Sequence, residues 1–355
     1  MKASLKHKDN EMAVSPIVAT LVLVVVAVVG AVAVGTIMGT FSSDVSKQAN
    51  TDGAGTAAQT EILTAGSTTV QPASEEIAKA YMAKNPGVKI TVQGGGSGAG
   101  VAAVGSGTVD IGATSDIAKV TDKVNDGTFP NLKTYLLGGS AIVVIQNEGT
   151  HAMAAAPAAA SYQSDLKNIY DTSATTVSAA NITDATVVVY RSDSSGTANE
   201  FCKAIGLSGQ VTPVANTVAG STTTVSGAQG NAGVVSKVAT TARSIGYADM
   251  GYVFDSNGNE VANIDIVPVI EQVGGPAFGS ITKSTIKNAV KVRYNNPTVA
   301  AGGSTDYPVT LTRSLHYITN GEPSSVVKNY IQFAQSPGAT AAINAAGMFA
   351  NADLV

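Results

Sequence analysis

Tryptophan is absent from this 355-residue chain, cysteine occurs once, at Cys202, and charged residues make up only 13%, about half the usual globular share. A single cysteine excludes an internal disulfide, and with it the small stapled scaffolds of secreted proteins. Scarce charge leaves Ser, Thr, Asn, Gly and Ala to cover most of the surface. The net charge of −4, without any basic cluster, argues against a nucleic-acid partner. His7, His151 and His316 are far apart and lack metal-ligand spacing. No Gly-x-Ser-x-Gly turn offers a hydrolase nucleophile, and no Gly-Lys-Ser/Thr closes a phosphate loop of the nucleotide-hydrolase type. Cys202 sits in an apolar helical pattern and reads as a buried small residue. The expectation is a binding protein without metal or cofactor rather than an enzyme.

Apolar residues are placed unevenly. Residues 13–41 contain no charge, and Leu21 to Val29 is almost purely aliphatic. As a helix at 1.5 Å per residue this run is about 40 Å long, enough to cross a bilayer core of about 30 Å. Lys2, Lys6 and Lys8 precede it, which keeps the N-terminus cytoplasmic and places the rest of the chain outside the cell membrane. Met12-Ala13-Val14-Ser15-Pro16-Ile17-Val18-Ala19 leading into this run resembles the start of archaeal type IV pilin-like proteins. That resemblance implies a short leader (1–12), a retained helix (13–41) and self-assembly through it as an alternative role. Residues 42–60, rich in Ser, Asp, Thr, Gly and Ala, read as a flexible spacer. Asn181-Ile182-Thr183 is an N-glycosylation sequon.

From residue 61 onward the pattern alternates strand and helix, which predicts an α/β sheet. Strands fit 61–64, 88–92, 135–146, 186–190, 244–247 and 309–318. Helices fit 73–84, 99–106, 161–170, 198–205, 231–239, 281–290 and 324–335, and 151–160 and 216–230 read as loops.

Four loops at strand ends carry the chemistry. Gly66-Ser67-Thr68-Thr69 opens a helix, where unpaired N–H groups can hold an anion and where simple capping is the plainer role. Gly94-Gly95-Gly96-Ser97-Gly98-Ala99-Gly100 allows close main-chain approach. It fits either an oxyanion loop or, weakly, a dinucleotide fingerprint with Asp116 downstream, the oxidoreductase alternative. Asp110-Ile111-Gly112-Ala113-Thr114-Ser115-Asp116 supplies a hydroxyl and a carboxylate that can accept a phosphate proton. Arg191-Ser192-Asp193-Ser194-Ser195-Gly196-Thr197 combines a guanidinium fork, a carboxylate to orient it and a helix start.

In this combination the chain resembles the phosphate-binding proteins of ABC transporters, the PstS family. Gly230-Asn231-Ala232-Gly233-Val234 and Ser244-Ile245-Gly246-Tyr247 also match, and the likeness runs over about residues 61–355. It implies a two-lobed periplasmic-binding-protein-like fold of type II with a hinge. Lobe 1 would comprise 61–140 and 268–355, and lobe 2 residues 141–267. It further implies that Thr68, Thr69, Ser97 with Gly98, Arg191, Ser195, Gly196 and Thr197 bind phosphate, and that Asp193 steadies Arg191. Either Ser115 or Asp116 would face the anion. The implied function is a membrane-anchored, extracytoplasmic receptor delivering inorganic phosphate to the permease subunits of an ABC importer, with another tetrahedral oxyanion as the alternative ligand.

Overall fold

The computed structural model describes residues 59–149, 162–171, 176–177, 186–215, 217–218, 221–255, 257–269, 281–296, 299, 301, 303–304 and 306–355. The leader, the apolar run at 13–41, nearly all of the spacer, the loop at 151–160 and the sequon at Asn181 lie outside these residues. Among the described residues no helix is long and apolar enough to cross a membrane.

The chain begins as successive strand-helix units: β1 (Thr60–Gly66), α1 (Gln71–Met82), β2 (Val88–Gln93), α2 (Ser97–Gly105), β3 (Ile111–Thr114) and α3 (Ala118–Asn125). β4 (Leu132–Asn147) follows. After it come α4 (Tyr162–Tyr170), β5 (Thr176–Val177), β6 (Val187–Arg191), α5 (Gly196–Ala204), β7 (Thr217–Val218), β8 (Ser221–Thr222), β9 (Thr224–Ala228), α6 (Gly230–Thr240), β10 (Ser244–Asp249) and β11 (Ile264–Val267). The chain ends with α7 (Lys283–Asn295), β12 (Thr312–Asn320), α8 (Ser325–Gln335), α9 (Thr340–Ala345), β13 (Phe349–Ala350) and α10 (Asn351–Leu354).

Local chemistry fixes several of these boundaries. Pro72 sits in the first turn of α1, where its missing N–H costs nothing. Ser195 caps α5 by accepting from the Ala198 amide at 3.1 Å, and Thr282 with Thr285 forms a capping box on α7. β4 reads as a long apolar run because Leu137 through Gln146 are all buried, as expected of a strand covered on both faces.

The main sheet runs β2-β1-β3-β12-β4-β10-β6-β9. β1 lies parallel to β2 and β3, and β6 parallel to β9 and β10. β12 is antiparallel to β3 and β4, and β10 and β11 are antiparallel to β4. The first part of β4 pairs with β12, from Leu132↔Asn320 to Ala141↔Thr312. The remainder pairs with β10, from Ile142↔Asp249 to Gln146↔Ile245.

Two large cores flank this crossing. One gathers Ile62, Ile77, Ile111, Leu137, Leu315, Tyr317, Tyr330 and Ile343 under α1, α8 and α9. The other gathers Ile142 to Ile145, Val188, Phe201, Val234, Ile245 and Tyr247. Ile286, Ala289 and Val290 of α7 pack with this second core, although the sequence expectation groups residues 268–355 with lobe 1. One expected loop is corrected: within 216–230, Thr224–Ala228 forms strand β9 on the sheet edge, held by parallel pairing to β6. Its sequence, Thr-Val-Ser-Gly-Ala, carries too little aliphatic character to signal a strand by itself.

Candidate functional site

The four strand-end loops meet. β1 ends at Gly66, whose φ of +144° suits only glycine and where a Cβ would lie 2.3 Å from the Ala113 carbonyl oxygen, so β1 and β3 close up behind their loops. Beyond that glycine, Ser67 Oγ accepts from the Thr69 and Val70 amides and donates to Ser115 Oγ at 3.0 Å. Ser97, at the start of α2, accepts from the Ser115 amide at 3.2 Å. Thr69 Oγ1 lies 3.0 Å from Thr197 Oγ1 at the start of α5. Ser67, Thr69, Ser97, Ser115 and Thr197 are all buried.

The glycines of the second and fourth loops let main chains approach one another. A Cβ on Gly96 would sit 2.0 Å from the Ser194 carbonyl oxygen, and one on Gly98 would sit 2.4 Å from Ser194 Oγ. A Cβ on Gly196 would lie 2.4 Å from Ser97 Oγ and 2.8 Å from Ser115 Oγ. The glycine run thus faces the Asp193–Gly196 turn, and the dinucleotide alternative gains nothing from this placement.

Arg191 is fully buried at the end of β6. It donates to Asp193 through Nε at 2.7 Å and Nη2 at 2.5 Å, to Asn231 Oδ1 at 3.2 Å, and to Thr68 Oγ1 at 3.0 Å. Burial alone would raise the Asp193 carboxyl, but the hydrogen bonds and charge of Arg191 outweigh it and hold the group below its ordinary range. The Thr68 and Arg191 expectations therefore come together in one contact.

Sequence reasoning did not single out the second guanidinium. Arg313, near the start of β12, is buried and donates to Thr69 Oγ1 at 2.9 Å, Thr197 Oγ1 at 3.0 Å, Ser115 Oγ at 3.4 Å and Asp249 Oδ2 at 2.6 Å. Asp249 also accepts from Ser140 Oγ at 2.7 Å. Asn231, at the start of α6, donates to Thr69 Oγ1 at 3.1 Å. The available signal was only that Arg313 falls within the expected strand 309–318, where an inward-facing charge demands a buried partner somewhere in the fold.

The third loop divides its two candidates. Ser115 turns its hydroxyl into the cluster. Asp116 turns away: its carboxylate accepts from the Ala118 amide at 3.1 Å and from Asn199 Nδ2 at 2.5 Å. Ser195 Oγ is occupied as the cap of α5. Beside the cluster lies a cavity of about 330 Å³, lined by Ser115, Asp116, Leu136, Glu200, Arg313 and His316 among others. Burial there holds the His316 imidazole down to about 4, so it is neutral at pH 7, and burial, with the neighbouring Asp116 charge, raises Glu200.

Each arginine has its own carboxylate, so a bound anion would meet hydroxyl, amide and guanidinium donors rather than a large net positive charge. Among the described residues no cluster of His, Cys, Asp and Glu could hold a metal ion. Burial pushes the Cys202 thiol up to about 11, which removes it as a nucleophile at neutral pH.

The model of the PBP superfamily domain matches residues 50–337. Solved structures with a similar fold include a phosphate ABC transporter substrate-binding protein with bound phosphate from Clostridium perfringens, at 20% identity and a TM-score of 0.54, covering 82% of this chain and 99% of that one. An ABC-type phosphate transport receptor from Vibrio cholerae matches at 19% identity and a TM-score of 0.52, covering 81% and 99%. A high-affinity periplasmic phosphate-binding protein with bound phosphate matches at 16% identity and a TM-score of 0.52, covering 82% and 90%. No curated protein matches the chain.

Proposed function

This chain belongs to the PBP superfamily, and from that premise we propose that it is the extracytoplasmic receptor of an ABC-type importer, binding inorganic phosphate between two lobes. The observation that carries the reading is the convergence of Thr68, Thr69, Ser97, Ser115 and Thr197 hydroxyls with Arg191 from four separate strand ends. Open α/β sheets place ligands at such strand ends, and relatives of like fold bind phosphate. Lobe 1 would be formed by 61–140 and 268–355 and lobe 2 by 141–267. Phosphate would favour the closed form by bridging Thr69, Ser97 and Ser115 on one lobe to Arg191, Gly196 and Thr197 on the other. Asp193 would hold Arg191 in place, Gly98 would permit the approach, and Ser115 rather than Asp116 would face the anion. The apolar run at 13–41 would keep the receptor on the outer face of the cell membrane, within reach of the permease.

Calorimetric titration of the full-length protein in detergent tests this. Replacing Arg191 by alanine removes a buried charge from the anion's surroundings and is expected to cost about 2–5 kcal/mol of phosphate binding. Unchanged affinity in Arg191→Ala would sink the assignment.

A further inference from the structure

Among the described residues, the acids around the hydroxyl cluster are all in use. Asp193 Oδ1 accepts from Arg191 Nε and the Gly230 amide, and its Oδ2 from Arg191 Nη2. Asp249 Oδ1 accepts from the Gly251 amide, and its Oδ2 from Arg313 Nη2 and Ser140 Oγ. Asp116 spends one oxygen on the Ala118 amide and the other on Asn199. Glu200, beside Asp116, accepts from Lys203 Nζ at 3.2 Å.

The hydroxyl oxygens are occupied in the same sense. A hydroxyl has two acceptor positions and one proton. Thr69 Oγ1 already accepts from Asn231 Nδ2 and Arg313 Nη2, so its proton goes to Thr197 Oγ1 at 3.0 Å. Ser67 accepts from two amides and gives its proton to Ser115 Oγ, which also accepts from Arg313 and lies 3.4 Å from Ser97 Oγ. Thr197 thus accepts from Arg313 and Thr69, Ser97 from the Ser115 amide and hydroxyl, and Thr68 from Arg191. The guanidinium and amide donors thus orient the chain of hydroxyls so that Thr68, Ser97 and Thr197 are left with hydrogen to give.

We infer, on the oxyanion-receptor reading above, that this site recognises the charge and tetrahedral shape of its ligand but not its proton, and takes fully ionised oxyanions such as sulfate as readily as phosphate. Phosphate near neutral pH keeps a P–OH proton, and a buried donor without an acceptor forfeits its hydration unrewarded. Sulfate has no such proton and can accept from each of these hydroxyls. A site that prefers phosphate needs an acceptor aimed at that proton, and each described carboxylate around the cluster is committed elsewhere.

Titrating the full-length protein with sulfate and with phosphate at pH 8 and equal ionic strength reads this directly. The expected result is a sulfate dissociation constant no more than about tenfold above that of phosphate. A larger preference for phosphate overturns the inference while leaving the receptor reading intact, whereas binding of neither anion overturns the receptor reading itself. Ser115→Asp places an acceptor at the centre and should shift the ratio toward phosphate by about tenfold or more; an unshifted ratio in a folded variant counts against the inference. Should that variant not fold, the wild-type ratio decides. His316 lines the adjoining cavity, so His316→Phe is the companion measurement: a loss confined to phosphate would identify the imidazole as a proton acceptor and overturn the inference.

Discussion

Arg191 and Arg313 lie within one hydroxyl cluster, yet they differ in what holds them. Arg191 is paired with a carboxylate two residues away, on the same turn. Arg313 is paired with Asp249, 64 positions away, and both partners are almost wholly buried. Removing one member of such a pair strands the other charge. Arg313→Ala is therefore expected to lower stability by about 3–5 kcal/mol in urea unfolding, whereas Arg313→Met combined with Asp249→Leu recovers most of that loss. A single variant as stable as the wild type would show that the pair contributes nothing. His316 makes a second residue-level prediction. Its imidazole falls from 6.5 in the unfolded chain to about 4 in the fold because burial disfavours the charged form. The unfolded chain then binds more protons between those values, so stability is full above about pH 6.5 and declines as the pH falls toward 4. The decline attributable to this group is about 1–3 kcal/mol. Thermal unfolding at pH 4.5 and pH 7 should show a smaller gap in His316→Gln than in the wild type.

At the scale of elements, the loops at 94–98 and 193–196 are fitted to each other by glycine. Gly96 has a φ of +92° and faces the Ser194 carbonyl oxygen, so Gly96→Ala meets both backbone strain and a main-chain clash. The expected outcome is a loss of about 1–3 kcal/mol in stability, with phosphate affinity lowered as the loops separate. An unchanged melting temperature and titration would rule out the close approach. The glycine run, the Arg191 turn and the Ser67–Thr69 turn were legible in the sequence because each lies where a strand pattern stops and a helix pattern begins. Arg313 was not, since it sits inside β12, where nothing local betrays a partner in β10. Ser115 and Asp116 could not be separated from sequence because both are polar and adjacent. The register of β3 and the local turn in which the Asp116 carboxylate accepts from the Ala118 amide decide which turns inward. β9 was missed for the opposite reason: its pairing to β6, not its own residues, makes it a strand.

For the whole molecule, the strand-helix alternation in the sequence was enough to anticipate an α/β sheet, but not how its two cores are joined. Hydrophobic periodicity reports which face of an element is buried, and says nothing of which core receives it. α7 shows this, because its apolar face joins the core around Ile142 to Ile145 although neighbouring β12 serves the core around Leu315. β4 is the connection. It contributes Leu137 to one core and Ile142 to Ile145 to the other, pairing with β12 along one stretch and with β10 along the next. Melting either core would strip one end of a strand that the other core needs intact. Heat denaturation should therefore be cooperative across the described fold, with a calorimetric enthalpy equal to the van't Hoff enthalpy rather than two separable steps.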